Sequence, residues 1–190
     1  MAELYILDQD DILLTILSEE TGLISAPIRE ELNQVPNEPF VFIVDAESEK
    51  AKCVVEQNQV VFRDYEGDLR LFRIVELDDS DSENGAETIA TCEPAFMELK
   101  DHVVLDRRFS DKTADVALDA ALAGTRWTGK VMADFGLASD NFYHISRVDA
   151  VWGVRNTWGG DLKDVVRFDD NNNISAREIH LVQRLGSDKG

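Results

Sequence analysis

The chain has 190 residues, 44% of them apolar, which is enough hydrophobic material to fold as one large domain or two small ones. Acidic side chains outnumber basic ones 38 to 19, giving a formal net charge of −19. Such a surface repels nucleic acid and anionic lipid, and the N-terminal stretch lacks the basic start of a signal peptide and the length of a membrane span. We therefore expect neither specific nucleic-acid binding nor a membrane partner.

Short apolar or alternating runs dominate the first hundred residues. Their length and their content of Val, Ile and Phe predict strands at residues 4–7, 12–17, 40–44, 53–56, 60–63, 69–77 and 88–92. Turn residues such as Gly67 join them, so consecutive strands are expected to pair as antiparallel hairpins. The polar stretch 77–87 is predicted to be an exposed loop, and residues 27–33 are compatible with a helix or with irregular chain.

The second half adds helices, of which residues 112–123 predict the first. Alanines and regularly spaced apolar side chains favour a helix there. Ser110 or Asp111 is expected to cap its free amides, and Gly124 to end it in the left-handed conformation.

Residues 147–157 predict a second helix, which begins with an N-terminal box of Ser146 and Asp149 and stops at 158–160. Val148, Val151, Trp152 and Arg155 are expected to share one of its faces. Residues 164–168 and 174–185 then predict a hairpin around the Asp/Asn turn 169–173.

These patterns predict a β-rich α+β protein. A small antiparallel, β-barrel-like domain is expected over residues 1–100 and an α+β domain over residues 101–190. The final residues 186–190 resemble a loop cut in the middle, so we expect the sequence to be part of a longer chain.

Two acidic stretches, starting at Asp79 and Asp169, suggest calcium binding, but neither fits the pattern of an EF-hand loop. In the first stretch Asn84 occupies the glycine position and Ala90 the bidentate position; in the second these positions hold Ile174 and His180. Both stretches are interpreted as solvated turns, and no metal site is predicted.

No pattern of residues predicts an enzyme. The sequence has no G-x-S-x-G and no phosphate-binding glycine loop, and His102, His144 and His180 lie in no recognisable catalytic setting. With 38 carboxylates, no single pair stands out as a glycosidase pair. We therefore predict no catalytic residue and no cofactor.

The tryptophans and cysteines are expected to have structural roles. Trp127, Trp152 and Trp158 lie beside predicted helix ends, which favours core or interface anchors over sugar-stacking platforms. Cys53 and Cys92 have no further metal ligand nearby and are predicted to be buried free thiols, in agreement with synthesis in a reducing bacterial cytoplasm.

Taken in order, several stretches resemble the N-terminal region of phage minor structural proteins, the siphophage tail-associated lysins of the prophage endopeptidase tail family. The stretches are LYILD at 4–8, ELN at 31–33, EPFVFIVD at 38–45, VVFRD at 60–64, YEGDLRLFRIVELDDSDSENG at 65–85, CEPAFMEL at 92–99, ALAGTRW at 121–127 and WGGDL at 158–162. That family is similar to the central hub of contractile tails, a trimer of small β-barrel-like domains.

The resemblance implies a non-enzymatic baseplate hub in the virion tail tip. It implies a homotrimer that contacts the distal tail protein and the tape measure protein, surrounds the channel through which DNA passes, and carries a lysin or receptor-reaching part beyond Gly190. It assigns no interface residues; strands 4–7 and 40–44 are candidate exposed edges. The alternative is a carbohydrate-binding module that recognises the host cell wall through Trp127 or Trp158.

Overall fold

A computed structural model describes residues 3–27, 39–82 and 85–183, and the chain divides into two compact units. Unit 1 comprises Met1–Glu30, Pro36–Ala95 and Val166–Ser175. Unit 2 comprises Glu31–Val35, Phe96–Val165 and Ala176–Gly190. The chain therefore returns to the first unit for one short segment after most of the second has been built.

Unit 1 is a seven-stranded antiparallel sheet. Its strands lie in the spatial order β2-β1-β5-β6-β7-β4-β3. They are β1 (Leu4–Leu7), β2 (Leu13–Leu17), β3 (Leu23–Ser25), β4 (Phe40–Asp45), β5 (Gln59–Arg63), β6 (Leu69–Ser82) and β7 (Gly85–Pro94). Each neighbouring pair is antiparallel, as the sequence predicts.

The core of unit 1 lies on the inner face of this sheet, because alternate strand residues point to the same side. Phe40 is its centre, with ring centroids 4.7 Å from Phe62 and 5.4 Å from Phe72. The sheet is open between β2 and β3 in the described residues, although only residues 18–22 separate these two edge strands along the chain. Lys50 Nζ donates to the Ile16 carbonyl at 2.7 Å and so satisfies part of the β2 edge.

Several predictions for unit 1 are wrong. Residues 53–56 form no strand, since Cys53 ends a 3₁₀ helix, Glu49–Cys53. The predicted loop at 77–87 is also wrong, because residues 77–82 and 85–87 are strand and β6 and β7 keep pairing as far as Ser82 and Gly85. Strands β1 and β4 are not edges: β1 pairs with β2 and β5, and β4 with β7 and β3.

Residues 27–33, for which the sequence allows either a helix or irregular chain, lie almost entirely outside the described residues. Of this segment only Pro27 is described, and it belongs to neither helix nor strand.

The described residues of unit 2 form two helices, two small sheets and most of a 3₁₀ segment, Ala95–Asp101. Strands β8 and β10 form an antiparallel pair, while β12 lies between β11 and β9, parallel to β9. Strands β11 and β12 form the predicted hairpin around 169–173, whose tip belongs to unit 1. The elements are β8 (Val103–Lys112), α1 (Ala114–Leu122), β9 (Thr128–Val131), β10 (Ala138–Ser146), α2 (Arg147–Trp158), β11 (Asp161–Phe168) and β12 (Ile174–Val182).

Helix α1 begins later than predicted. Ser110 and Asp111 are not its caps, because β8 stays extended and paired with β10 as far as Lys112, and Thr113 becomes the N-cap without a side-chain hydrogen bond. At the other end Gly124 has φ +78°, the left-handed conformation that the sequence predicts.

Helix α2 begins as predicted, since Ser146 Oγ accepts a hydrogen bond from the Asp149 amide at 3.1 Å. Its buried stripe differs from the predicted face. Val154 and Trp158 complete the stripe, whereas Trp152 is only half-buried, with the Arg155 guanidinium 5.9 Å from its ring centre. No helix in the described part of the chain is long and apolar enough to cross a membrane.

Candidate assembly surfaces

Strands β8 and β10 form a two-stranded ribbon that packs on α2 at one end. Phe142 is 1% exposed and its ring lies 5.0 Å from that of Phe109. Trp158 meets Phe109 edge-on, and its indole nitrogen donates to the Lys112 carbonyl at 2.9 Å. A two-stranded sheet is barely stable alone, so these aromatic contacts hold the ribbon in place.

The rest of the ribbon exposes apolar and basic side chains. Leu105 is 66% exposed, Tyr143 58% and Val103 50%. Arg107 and Arg108 are also exposed, and the nearest carboxylate to Arg108 is that of Asp106, at 3.5 Å. The sequence predicted no strand here, because residues 103–112 bury only two positions and so lack the regular alternation that signals a half-buried strand.

The longest hairpin of unit 1 ends in what we call the acidic arm, residues 76–82 of β6 and 85–87 of β7. Strand β5 pairs with β6 only along Leu69–Arg73, so the outer edge of the arm pairs with no strand in the described ranges. Asp78, Asp79 and Asp81 are exposed, and Asp79 accepts a hydrogen bond from the Thr88 hydroxyl at 2.8 Å. The β6 side of the arm is therefore a strand edge with no neighbouring strand in the described ranges and with strong negative charge, whereas on the β7 side Glu87 pairs with Asp45 of β4.

A buried charged cluster holds unit 2 together. Glu98 Oε1 accepts a hydrogen bond from the indole nitrogen of Trp127 at 2.7 Å and lies 3.5 Å from a guanidinium nitrogen of Arg177. Glu98 Oε2 pairs with Arg126. Arg177 also lies over the Trp127 ring, 5.8 Å from its centre, and is only 3% exposed.

The side chain of Glu178 has two cationic or hydrogen-bonding neighbours. Lys130 Nζ and His180 Nε2 each lie 2.7 Å from one of its oxygens. Strand β9 supplies Lys130 and β12 supplies the other two, and His180 is partly exposed, as predicted for a strand position that shares a face with Glu178. These contacts join two strands and leave the carboxylate occupied.

The other histidines lie on the surface. His102 is exposed, and its carbonyl accepts the Arg147 amide at 2.8 Å. His144 is an exposed residue of β10 with φ +50°, and its ring packs against Tyr143. Within residues 3–27, 39–82 and 85–183, no group of three or more His, Cys, Asp or Glu side chains is placed to hold a metal ion.

The second acidic stretch forms a self-contained turn. The Asp169 carboxylate accepts hydrogen bonds from the amides of Asn173 and Asn171, at 2.9 and 2.8 Å, and from the Asn173 side chain. The bond from the Asn173 amide is the largest cause that lowers the pKa of Asp169 below its usual value. The carboxylate serves the turn itself, which confirms its interpretation as a solvated turn.

The tryptophans act as core anchors. Trp127 is 2% and Trp158 6% exposed, which confirms the prediction of core anchors at these two positions and leaves neither ring exposed for the alternative, a sugar platform. Both cysteines are free, as predicted, but only Cys92 is buried, whereas Cys53 is half-buried. Burial raises the pKa of the Cys92 thiol.

No family model and no curated protein matches the chain. Its structure is similar to prophage tail protein gp18 from Listeria monocytogenes EGD-e, with a TM-score of 0.56 and 12% identity over 94% of this chain and 50% of that one. The chain therefore has a fold similar to that of this prophage tail protein. At this identity the likeness establishes the fold alone, and the chain spans about half the length of the structures that it matches.

Two further structures have lower scores. The tail protein from Neisseria meningitidis MC58 has a TM-score of 0.49 and 11% identity, covering 94% of this chain and 45% of that one. The c3393 protein of E. coli, a type VI secretion component with structural similarity to the T4 tail proteins gp27 and gp5, has a TM-score of 0.45 and 10% identity, covering 95% of this chain and 45% of that one.

Proposed function

We propose that the chain is a structural component of a phage or prophage tail tip, the baseplate hub. The observation that supports the proposal is the correspondence of almost the whole chain, 94%, with half of a prophage tail protein. The resemblance of the sequence to tail-associated lysins, which rests on separate stretches of residues, points to the same role.

In this proposal the hub acts through its geometry. Three copies form a closed ring in the virion, the distal tail protein binds on one side, and the tape measure protein ends at the hub. A lysin or receptor-reaching part beyond Gly190 is positioned by the ring. The net charge of −19 per copy keeps the passing DNA from adhering to the channel, and a trimer with a neutral or basic lumen would contradict this point.

The proposal assigns no catalytic step to the chain. The buried carboxylates of Glu98 and Glu178 have cationic partners and join structural elements, so their contacts account for them without a substrate. Purified cell wall should therefore remain intact when it is incubated with this chain. Release of soluble wall fragments, absent in a boiled control, would contradict the non-enzymatic role.

The decisive experiment is the solution mass of the chain mixed with the distal tail protein encoded beside it, measured by size exclusion with light scattering. We expect a discrete complex with about three copies of the chain on one distal tail protein ring. Absence of any complex at tens of micromolar, with a longer version of the chain equally inert, would refute the hub role.

A further inference from the structure

We propose that the free edge of β8 on one copy of the chain pairs with the free edge of the acidic arm on a second copy. The inference rests on the self-association in the proposed function and names the two surfaces that would meet. Each surface combines a strand edge that has no neighbouring strand in the described residues with exposed charged side chains.

Both strands offer an unpaired edge. Strand β8 pairs only with β10, and β6 beyond Ile74 pairs only with β7, as far as the described residues extend. A free edge carries a row of backbone donors and acceptors that a strand from another chain can satisfy. Strand addition is therefore open to both.

The charges on the two edges match on both faces. Adjacent strand residues point to opposite faces, so Arg107 and Arg108 place one guanidinium on each face of β8. Asp78 and Asp79 likewise place one carboxylate on each face of β6. If the edges pair, each face gains an opposite-charge cross-strand contact, which stabilises sheets, whereas two copies of the acidic edge would repel each other.

The composition of the ribbon also favours a protein partner. Arginine and tyrosine are enriched at the centres of interfaces, and here Arg107, Arg108 and Tyr143 are exposed on the same ribbon as the exposed Leu105. In a chain of net charge −19, β8 carries three basic side chains against two acidic ones, and the acidic arm supplies further carboxylates for them. Because the contact joins two different surfaces, it closes into a ring when the rotation between copies permits.

The test places a photo-crosslinker on β8. Leu105→p-benzoylphenylalanine, made in the full chain, is irradiated at high micromolar concentration in physiological salt, where charges beyond about 8 Å are screened. Mass spectrometry then locates the adducts. We expect crosslinked oligomers whose adducts lie in residues 76–89 of a neighbouring copy.

Charge reversal provides the matched comparison. Arg107→Glu with Arg108→Glu should lower the crosslink yield more than tenfold, because like charges then face each other. Adding Asp78→Arg and Asp79→Arg should restore it. Lys52→Glu with Arg63→Glu changes the net charge equally at exposed positions outside β8 and outside the acidic arm, and should leave the yield unchanged.

The outcomes separate this contact from the hub role. Adducts in any other segment, adducts within one copy only, or no adducts at all overturn the contact. A chain that binds the distal tail protein but forms no adduct in the arm keeps its hub role and loses this contact. Arm adducts in a chain that never binds the distal tail protein would support this contact and refute the hub role.

Discussion

Removal of the Glu98 carboxylate should weaken unit 2 by an amount that depends on the replacement. Glu98→Ala leaves the indole nitrogen of Trp127, which is 2% exposed, without its acceptor, at a cost of about 1–3 kcal/mol. Loss of the pair with Arg126, which is partly exposed, adds at most about 1 kcal/mol. Arg177 keeps other interactions when Glu98 is removed, so it loses only part of its stabilisation. We expect a total of about 3 kcal/mol.

Glu98→Gln separates the hydrogen bond from the charge. The amide oxygen can still accept from Trp127, so this variant should lose only about 1–2 kcal/mol. Urea unfolding followed by tryptophan fluorescence measures both values, and in a thermal scan the alanine variant should unfold about 6–12 °C below the wild type.

An exposed glutamate gives the control. Glu66→Ala, at a surface turn of unit 1, should change the free energy of unfolding by less than about 0.5 kcal/mol. Equal losses for Glu98→Ala and Glu98→Gln would show that the bond to Trp127 contributes nothing. A loss below about 0.5 kcal/mol in both would refute the stabilising role of the cluster.

Three further predictions concern a buried aromatic ring, a helix cap and a carboxylate within a turn. Phe142→Ala should cost about 3–5 kcal/mol of unfolding free energy because its ring is buried, whereas Tyr143→Ala, at an exposed ring, should cost less than about 1 kcal/mol; chemical denaturation distinguishes them, and similar losses would contradict the burial argument. Ser146→Ala should cost about 1 kcal/mol and Thr113→Ala less than about 0.5 kcal/mol, since only Ser146 makes a cap bond; equal denaturation midpoints would be unexpected. The Asp169 carboxyl should titrate by NMR below its ordinary pKa of about 3.9. Because its folded pKa is depressed, its contribution to stability is present above the unfolded value and is lost as pH falls through the folded one, and a midpoint at or above about 4 would contradict the turn geometry.

The local elements of this protein follow from short-range signals. The helix start at Ser146, the left-handed Gly124 and the turn at Asp169 each depend on residues within four positions of one another, and the structure has all three as predicted. Strands with clear alternation, such as Phe40–Asp45, were predicted for the same reason.

Long-range pairing could not be predicted in the same way. Strands β1 and β4 look like edges in sequence because their hairpin partners are near, yet their second partners, β5 and β7, lie 42 to 56 positions away along the chain. The N-cap of α1 is Thr113 because residues 103–112 form β8, which pairs with β10 as far as Lys112. The sequence pattern of residues 103–112 does not predict this strand.

The sequence alone therefore determines an acidic, antiparallel β-rich chain with two short helices, since periodicity, capping and turn chemistry act over a few residues. Only the tertiary structure decides that residues 76–82 and 85–87 form a paired arm, that β8 presents a free basic edge, and that Glu98, Trp127 and Arg177 meet in one cluster. Those features depend on contacts between residues up to 79 positions apart, which no local pattern of side chains encodes.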